Sequence, residues 1–183
     1  MKKTWMWIIG ALVLVGLLVG AYFLYNNLKD QPGAEPTLPE ANPEISGDAV
    51  PDFTVYDAAG KAYKLSEFFG KPIVLNLWAS WCDPCKNEMP GFQQMYETYG
   101  QDVVFLMVNV TGIDTQANAK NFIAQMGYDF PVYYDTDNSM AANYYAGSVP
   151  VTYFIAADGQ LATYAPGAIT ADILEQGISM ISE

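Results

Sequence analysis

The 183-residue chain contains no histidine and no arginine, and only two cysteines. Without histidine there is no Ser-His-Asp or Cys-His catalysis and no imidazole ligation of a metal. Two cysteines alone cannot complete a four-ligand zinc site within one chain. No metal and no other cofactor is expected. Positive charge is scarce too: eight lysines stand against 20 acidic residues, for a net charge of -12. Nucleic-acid binding needs a basic footprint, and this balance argues against it. It argues equally against a globular part lying on an anionic membrane surface. The simplest reading of the acidity is solubility.

What is present begins with a long apolar run. Trp5 to Tyr25 carries no charge, and as a helix it would extend about 30 Å, enough to span a bilayer once. Trp5, Trp7, Tyr22 and Tyr25 sit at its ends, where amphipathic rings favour the interface. Lys2 and Lys3 precede it, which predicts a cytoplasmic segment 1–4, a transmembrane anchor 5–25 and everything later outside. A cleaved signal peptide is the competing reading. The run is longer than a signal core, and no small-x-small cleavage site follows. No cysteine follows closely enough for lipoprotein attachment. Gly16 and Gly20 form one weak small-x-x-x-small match, and ordinary membrane-helix glycines account for it as well.

Residues 26–46 hold four prolines, four acidic residues and few large apolar side chains. They read as an extended linker without a core. From residue 47 to 183 the composition is globular. The segment "FTVYDAAGKAYKL" predicts a hairpin around Ala59-Gly60. "PIVLNLWA" and "VVFLMVNV" are continuous apolar runs, as in strands buried on both faces. Residues 84–99 read as a helix whose Met89, Phe92, Met95, Tyr96 and Tyr99 face a core. Residues 115–126 read as a second helix with Gly127 as C-cap. "FPVYYD" predicts a short strand and "SMAANYYAG" a short helix. A hairpin turns at Asp158-Gly159, and a closing helix runs over 170–181 with Thr170 as N-cap. Together these give an α/β sandwich of three layers.

Cys82 and Cys85 stand in "WCDPCKNEMP", between an apolar strand and a helix. That is the layout of a dithiol/disulfide redox site. A purely stabilising disulfide is poorly motivated, because closing so short a loop constrains the unfolded chain very little.

The "WCxPC" core, Lys86 and Glu88, Pro90, and "SVPVTYFI" followed by a "DG" turn resemble the thioredoxin fold. The chain looks more closely like the membrane-anchored TlpA/ResA-type thiol-disulfide oxidoreductases, which include cytochrome c maturation proteins. The resemblance covers roughly Val50 to Ile181. It implies a thioredoxin-like α/β sandwich with an N-terminal hairpin and a central helical insertion near Asp114 to Gly127, preceded by one transmembrane helix. It also implies a redox-active Cys82–Cys85 disulfide. Cys82 would be the nucleophile at the helix N-cap, and Cys85 would resolve the mixed disulfide. Asn76 replaces the aspartate that thioredoxins bury below the cysteines, as this branch often does. An amide takes no proton, so the resemblance passes any acid-base role to Glu88. Without it, a solvated helix glutamate is an equal reading.

Pro84 would fix the loop at the first helical turn. Asp83 opposes a thiolate at Cys82 yet suits a helix N-terminus, and both readings stand. Pro150 is expected to be cis, with Val149 offering its backbone to an extended substrate. Trp81 would cover the cysteines with a flat apolar face, and Trp78 is as readily core. The implied partners are protein disulfides, an apocytochrome c cysteine pair among them, and a thiol electron donor in the membrane. A disulfide-forming catalyst, or a donor to another extracytoplasmic reductase, is the enzyme alternative. A metal-delivery or assembly factor is disfavoured by the missing histidine.

Overall fold

A computed structural model of the chain describes residues 14–23, 49–144 and 147–182. The chain divides into two units, Met1–Thr37 and Leu38–Glu183. In the first, residues 14–23 are helical, with Leu14, Leu17, Leu18 and Phe23 exposed. Most of the predicted span 5–25 and all of the predicted linker 26–46 lie outside the described residues. Among the described residues, no helix is long and apolar enough to cross a membrane.

The second unit is built on a seven-stranded sheet. Its strands are β1 (Thr54–Tyr56), β2 (Ala62–Lys64), β3 (Ile73–Trp78), β4 (Val104–Asn109), β5 (Val132–Tyr134), β6 (Val151–Ile155) and β7 (Leu161–Pro166). Their spatial order is β2-β1-β5-β4-β3-β6-β7. The central strands β3 and β4 are parallel, as are β4 and β5, while β6 and β7 run antiparallel at one side. Helices α1 (Asp83–Tyr99), α2 (Gln116–Met126) and α3 (Ala141–Tyr144) lie between strands, α4 (Ala171–Ile181) follows β7, and a 3-10 turn spans Leu65–Phe68. The predicted hairpins, the order of the elements and the insertion helix α2 are all present. Gly127 caps α2 in the left-handed region at φ 71°, and Thr170 caps α4 by accepting from the Ile173 amide at 3.3 Å.

Every residue of β3 is buried, and successive side chains point to opposite faces. Val74 and Trp78 pack with Met89, Phe92 and Met95 of α1 and with Ile173, Leu174 and Ile178 of α4. Ile73, Leu75 and Leu77 pack on the other face with Leu65 and with Met140 and Tyr144. These two apolar layers flank the sheet and make three layers in all. The same alternation directs Asn76 toward the α1 face. A polar side chain is thus set into the layer where α1 begins.

Candidate redox site

Helix α1 starts at Asp83 with Cys82 as its N-cap, in extended backbone geometry. Cys82 Sγ accepts a hydrogen bond from the Cys85 amide at 3.1 Å. Amides at a helix N-terminus have no partner within the helix, so a sulfur placed there meets an excess of donors and the positive end of the helix dipole. Pro84 lies in the first turn, where its missing N–H costs nothing. Pro90 sits inside the helix and leaves the Lys86 carbonyl without its usual amide donor.

Cys82 and Cys85 are joined in a disulfide with Cα atoms 5.3 Å apart. Cys85 is fully buried, and Cys82 is 3% exposed. Cys82 Sγ packs 3.7 Å from the Val149 carbonyl oxygen, and the Val149–Pro150 peptide bond is cis. The loop entering β6 therefore lies directly against the outer cysteine. Trp81 is 58% exposed, and its Nε1 donates to the Ile113 carbonyl at 2.8 Å. Trp78 is fully buried in the core. Asp83 is exposed and pairs with Lys86 at 3.0 Å, a surface pair of little energetic weight.

Glu88 follows Cys85 by three residues on α1, and only 4% of its surface is exposed. Its Oε1 accepts from Asn76 Nδ2 at 2.9 Å, and its Oε2 accepts from the Ile169 amide at 3.0 Å. Burial pushes its carboxyl up, and the bonds from Ile169 and Asn76 only partly offset that, leaving a pKa of about 7. Asn76 also donates to Thr152 Oγ1 at 3.0 Å, so both of its amide hydrogens are used. Asn76 and Thr152 are paired residues on neighbouring strands β3 and β6, which makes that contact a cross-strand one. An open cleft lined by Glu88, Pro90, Gly91, Ile169 and Thr170 lies between α1 and the segment before α4.

Sequence reasoning missed Thr152, Ile169, Asp114 and Ser80. The Asp114 carboxylate accepts from the Ser80 amide at 2.6 Å, Ser80 Oγ at 2.9 Å, Asn109 Nδ2 at 2.9 Å and the Thr115 amide at 2.7 Å. Burial raises the Asp114 pKa, but the bonds from Ser80, Asn109 and Thr115 outweigh it and hold the group below the usual carboxylate range. The one local signal was its place just before the Thr115 N-cap.

A disulfide-closing Cys-x-x-Cys at the mouth of a helix, behind a buried parallel strand and against a cis-proline loop, defines a thioredoxin-fold thiol-disulfide oxidoreductase. The model of the AhpC/TSA family matches residues 46–164, and the chain belongs to that family. The thiol-disulfide oxidoreductase ResA of Geobacillus thermodenitrificans is 29% identical over 99% of both chains. ResA of Oceanobacillus iheyensis is 37% identical over 70% of this chain and 69% of its own. Among solved structures, the pneumococcal exposed lipoprotein thioredoxin Etrx1 of Streptococcus pneumoniae is 31% identical with a TM-score of 0.62. That match covers 70% of this chain and 98% of the lipoprotein.

Proposed function

We propose that this oxidoreductase works outside the cytoplasm, tethered by the segment 5–25, and reduces disulfides in protein substrates. The observation that carries the exchange chemistry is Glu88: a buried carboxyl with a pKa of about 7, three residues from Cys85 on the same helix. Such a group can take and return a proton at working pH, as two-thiol exchange requires.

In the reduced enzyme, the Cys82 thiolate attacks one sulfur of the substrate disulfide. A mixed disulfide forms, and the other substrate sulfur leaves as a thiolate that picks up a proton. Glu88 then accepts the Cys85 proton. The Cys85 thiolate attacks Cys82 Sγ, the mixed disulfide breaks, and the second substrate sulfur leaves as a thiolate that takes the proton held by Glu88. Two electrons pass to the substrate, and the enzyme is left with the Cys82–Cys85 disulfide. Trp81 and the Val149–Pro150 backbone form the docking surface for an extended peptide. Asp83, Pro84 and Asn76 tune the pair. A thiol donor in the membrane returns the enzyme to its dithiol form.

The tether is supported by the charge-free run behind Lys2 and Lys3, and by a full-length match to a ResA protein that includes this segment. The lipoprotein named among the structural relatives is an exposed one, which fits an extracytoplasmic site. An apocytochrome c cysteine pair is the substrate we favour.

The test is a trap. Cys85→Ala should accumulate a mixed disulfide between Cys82 and a peptide carrying a disulfide-closed Cys-x-x-Cys-His, and Cys82→Ala should not. No adduct, or equal adducts from both variants, would remove the assignment.

A further inference from the structure

We propose that Ile113 and Asp114 form a positioning clamp for the redox loop, presenting the Trp81 ring as a fixed face to an incoming peptide. The proposal rests on the docking role given to Trp81 above.

Three observations carry it. First, both residues that lead into Cys82 are bonded to this one segment. Ser80 is held through its amide and hydroxyl by Asp114, and Trp81 is held through its indole by the Ile113 carbonyl. Second, the clamp is itself anchored. Ile113 N donates to the Val110 carbonyl at 3.1 Å, and Asp114 also accepts from Asn109 and Thr115. Thr115 caps α2, so the clamp is continuous with the start of that helix. Third, the segment is seated closely from behind. A Cβ on Gly112 would lie 2.6 Å from Asn138 Oδ1, too near for any other residue without displacement. Asn138 itself holds a left-handed φ of 59°.

The four donors that meet Asp114 explain why a carboxylate is needed there. An asparagine must turn its NH2 toward one of the two oxygen positions, and each of those is occupied by donors. Charge-assisted bonds of this kind are also stronger than neutral ones. A large exposed ring without a fixed acceptor for its indole N–H would spread over several rotamers. Fixing it in advance lowers the ordering cost that a docking peptide meets. Asp114 does not touch the sulfurs in this account. It acts through Ser80 and Trp81 and is a positioning residue.

The experiment uses the full chain in detergent and reads two quantities. One is hydrogen exchange at the Trp81 indole N–H, with its resonance assigned by Trp81→Phe. The other is the ratio of KM for an extended disulfide peptide to KM for glutathione disulfide. Asp114→Asn should speed the exchange and raise the KM ratio, each by about tenfold, the scale of losing one charge-assisted hydrogen bond. Ser80→Ala leaves the carboxylate in place with three of its four donors and should move both in the same direction by a smaller factor, about threefold. It carries the test if Asp114→Asn does not fold. Unchanged indole exchange overturns the clamp. Faster exchange with an unchanged ratio overturns its part in presenting the ring. Trp81→Ala separates the two readings: a peptide KM that does not move removes the docking role, whatever the clamp does to the indole.

Discussion

Asn76, on the central strand β3, donates from Nδ2 to Glu88 Oε1 on helix α1 across 2.9 Å. A neutral amide therefore stands beside the one strongly buried carboxyl of the site. It stabilises the charged form without competing for the proton, while burial pulls the other way and wins. The cost of that arrangement is open to measurement.

Glu88 is harder to ionise in the folded chain than in the unfolded one. The native state therefore binds more protons between about pH 4.5 and 7. Stability falls as pH rises through that window and levels off above it. The full charging penalty is about 3 kcal/mol, from a difference of roughly two and a half pH units. Glu88→Gln should remove it while losing one hydrogen bond of about 1 kcal/mol. The oxidised variant should then be about 2 kcal/mol more stable than wild type at pH 8 and no more stable at pH 4.5. Urea unfolding at the two pH values checks this. The same substitution should remove the titration near pH 7 from the exchange-rate profile.

Asp83 lies next to the sulfur that becomes the nucleophile, but it is exposed and paired with Lys86. Asp83→Asn should favour the Cys82 thiolate of the reduced enzyme, as expected for removing one solvated like charge. In 1 M salt, where the screening length is about 3 Å, most of that difference should vanish. Thiolate absorbance against pH at two salt concentrations gives the answer.

Helix α4 packs on the sheet through Gly177, where an added Cβ would collide with the ring of Phe154. Phe154 is fully buried and cannot turn away into solvent. Gly177→Ala should cost about 1–3 kcal/mol as an overpacked core position, despite the better helix propensity of alanine. Denaturant unfolding with an unchanged slope is the check, and a stabilised variant would show that the ring gives way.

The sequence made plain what is local or periodic. The unbroken apolar runs gave β3 and β4, the Asp158-Gly159 pair gave the last hairpin, and the caps at Gly127 and Thr170 set helix ends. The cysteine pair was legible because its chemistry lies in a four-residue motif. The contacts that make the site work were not. Glu88 meets Ile169 across 81 residues, and Ser80 meets Asp114 across 34. Neither partner has a periodicity or a motif of its own. The strand order could not be read either, since β1 joins β5 by one paired position, Tyr56 with Tyr134. Such pairings depend on the whole sheet closing, and no short window contains them. Asn76 lay between: the strand pattern implied that it was buried, but its bond to Thr152 follows only from the β3–β6 register.

The direction of electron flow is the central claim, and the reduction potential of the Cys82–Cys85 couple tests it most directly. The full chain is equilibrated in thiol/disulfide buffers at pH 7, and the dithiol fraction is read by alkylation. A reductant of protein disulfides should lie below about -230 mV, in or beyond the range of thioredoxin and the glutaredoxins. A value near -120 mV, that of a strong dithiol oxidant such as DsbA, would contradict the account and make the enzyme a disulfide-forming catalyst.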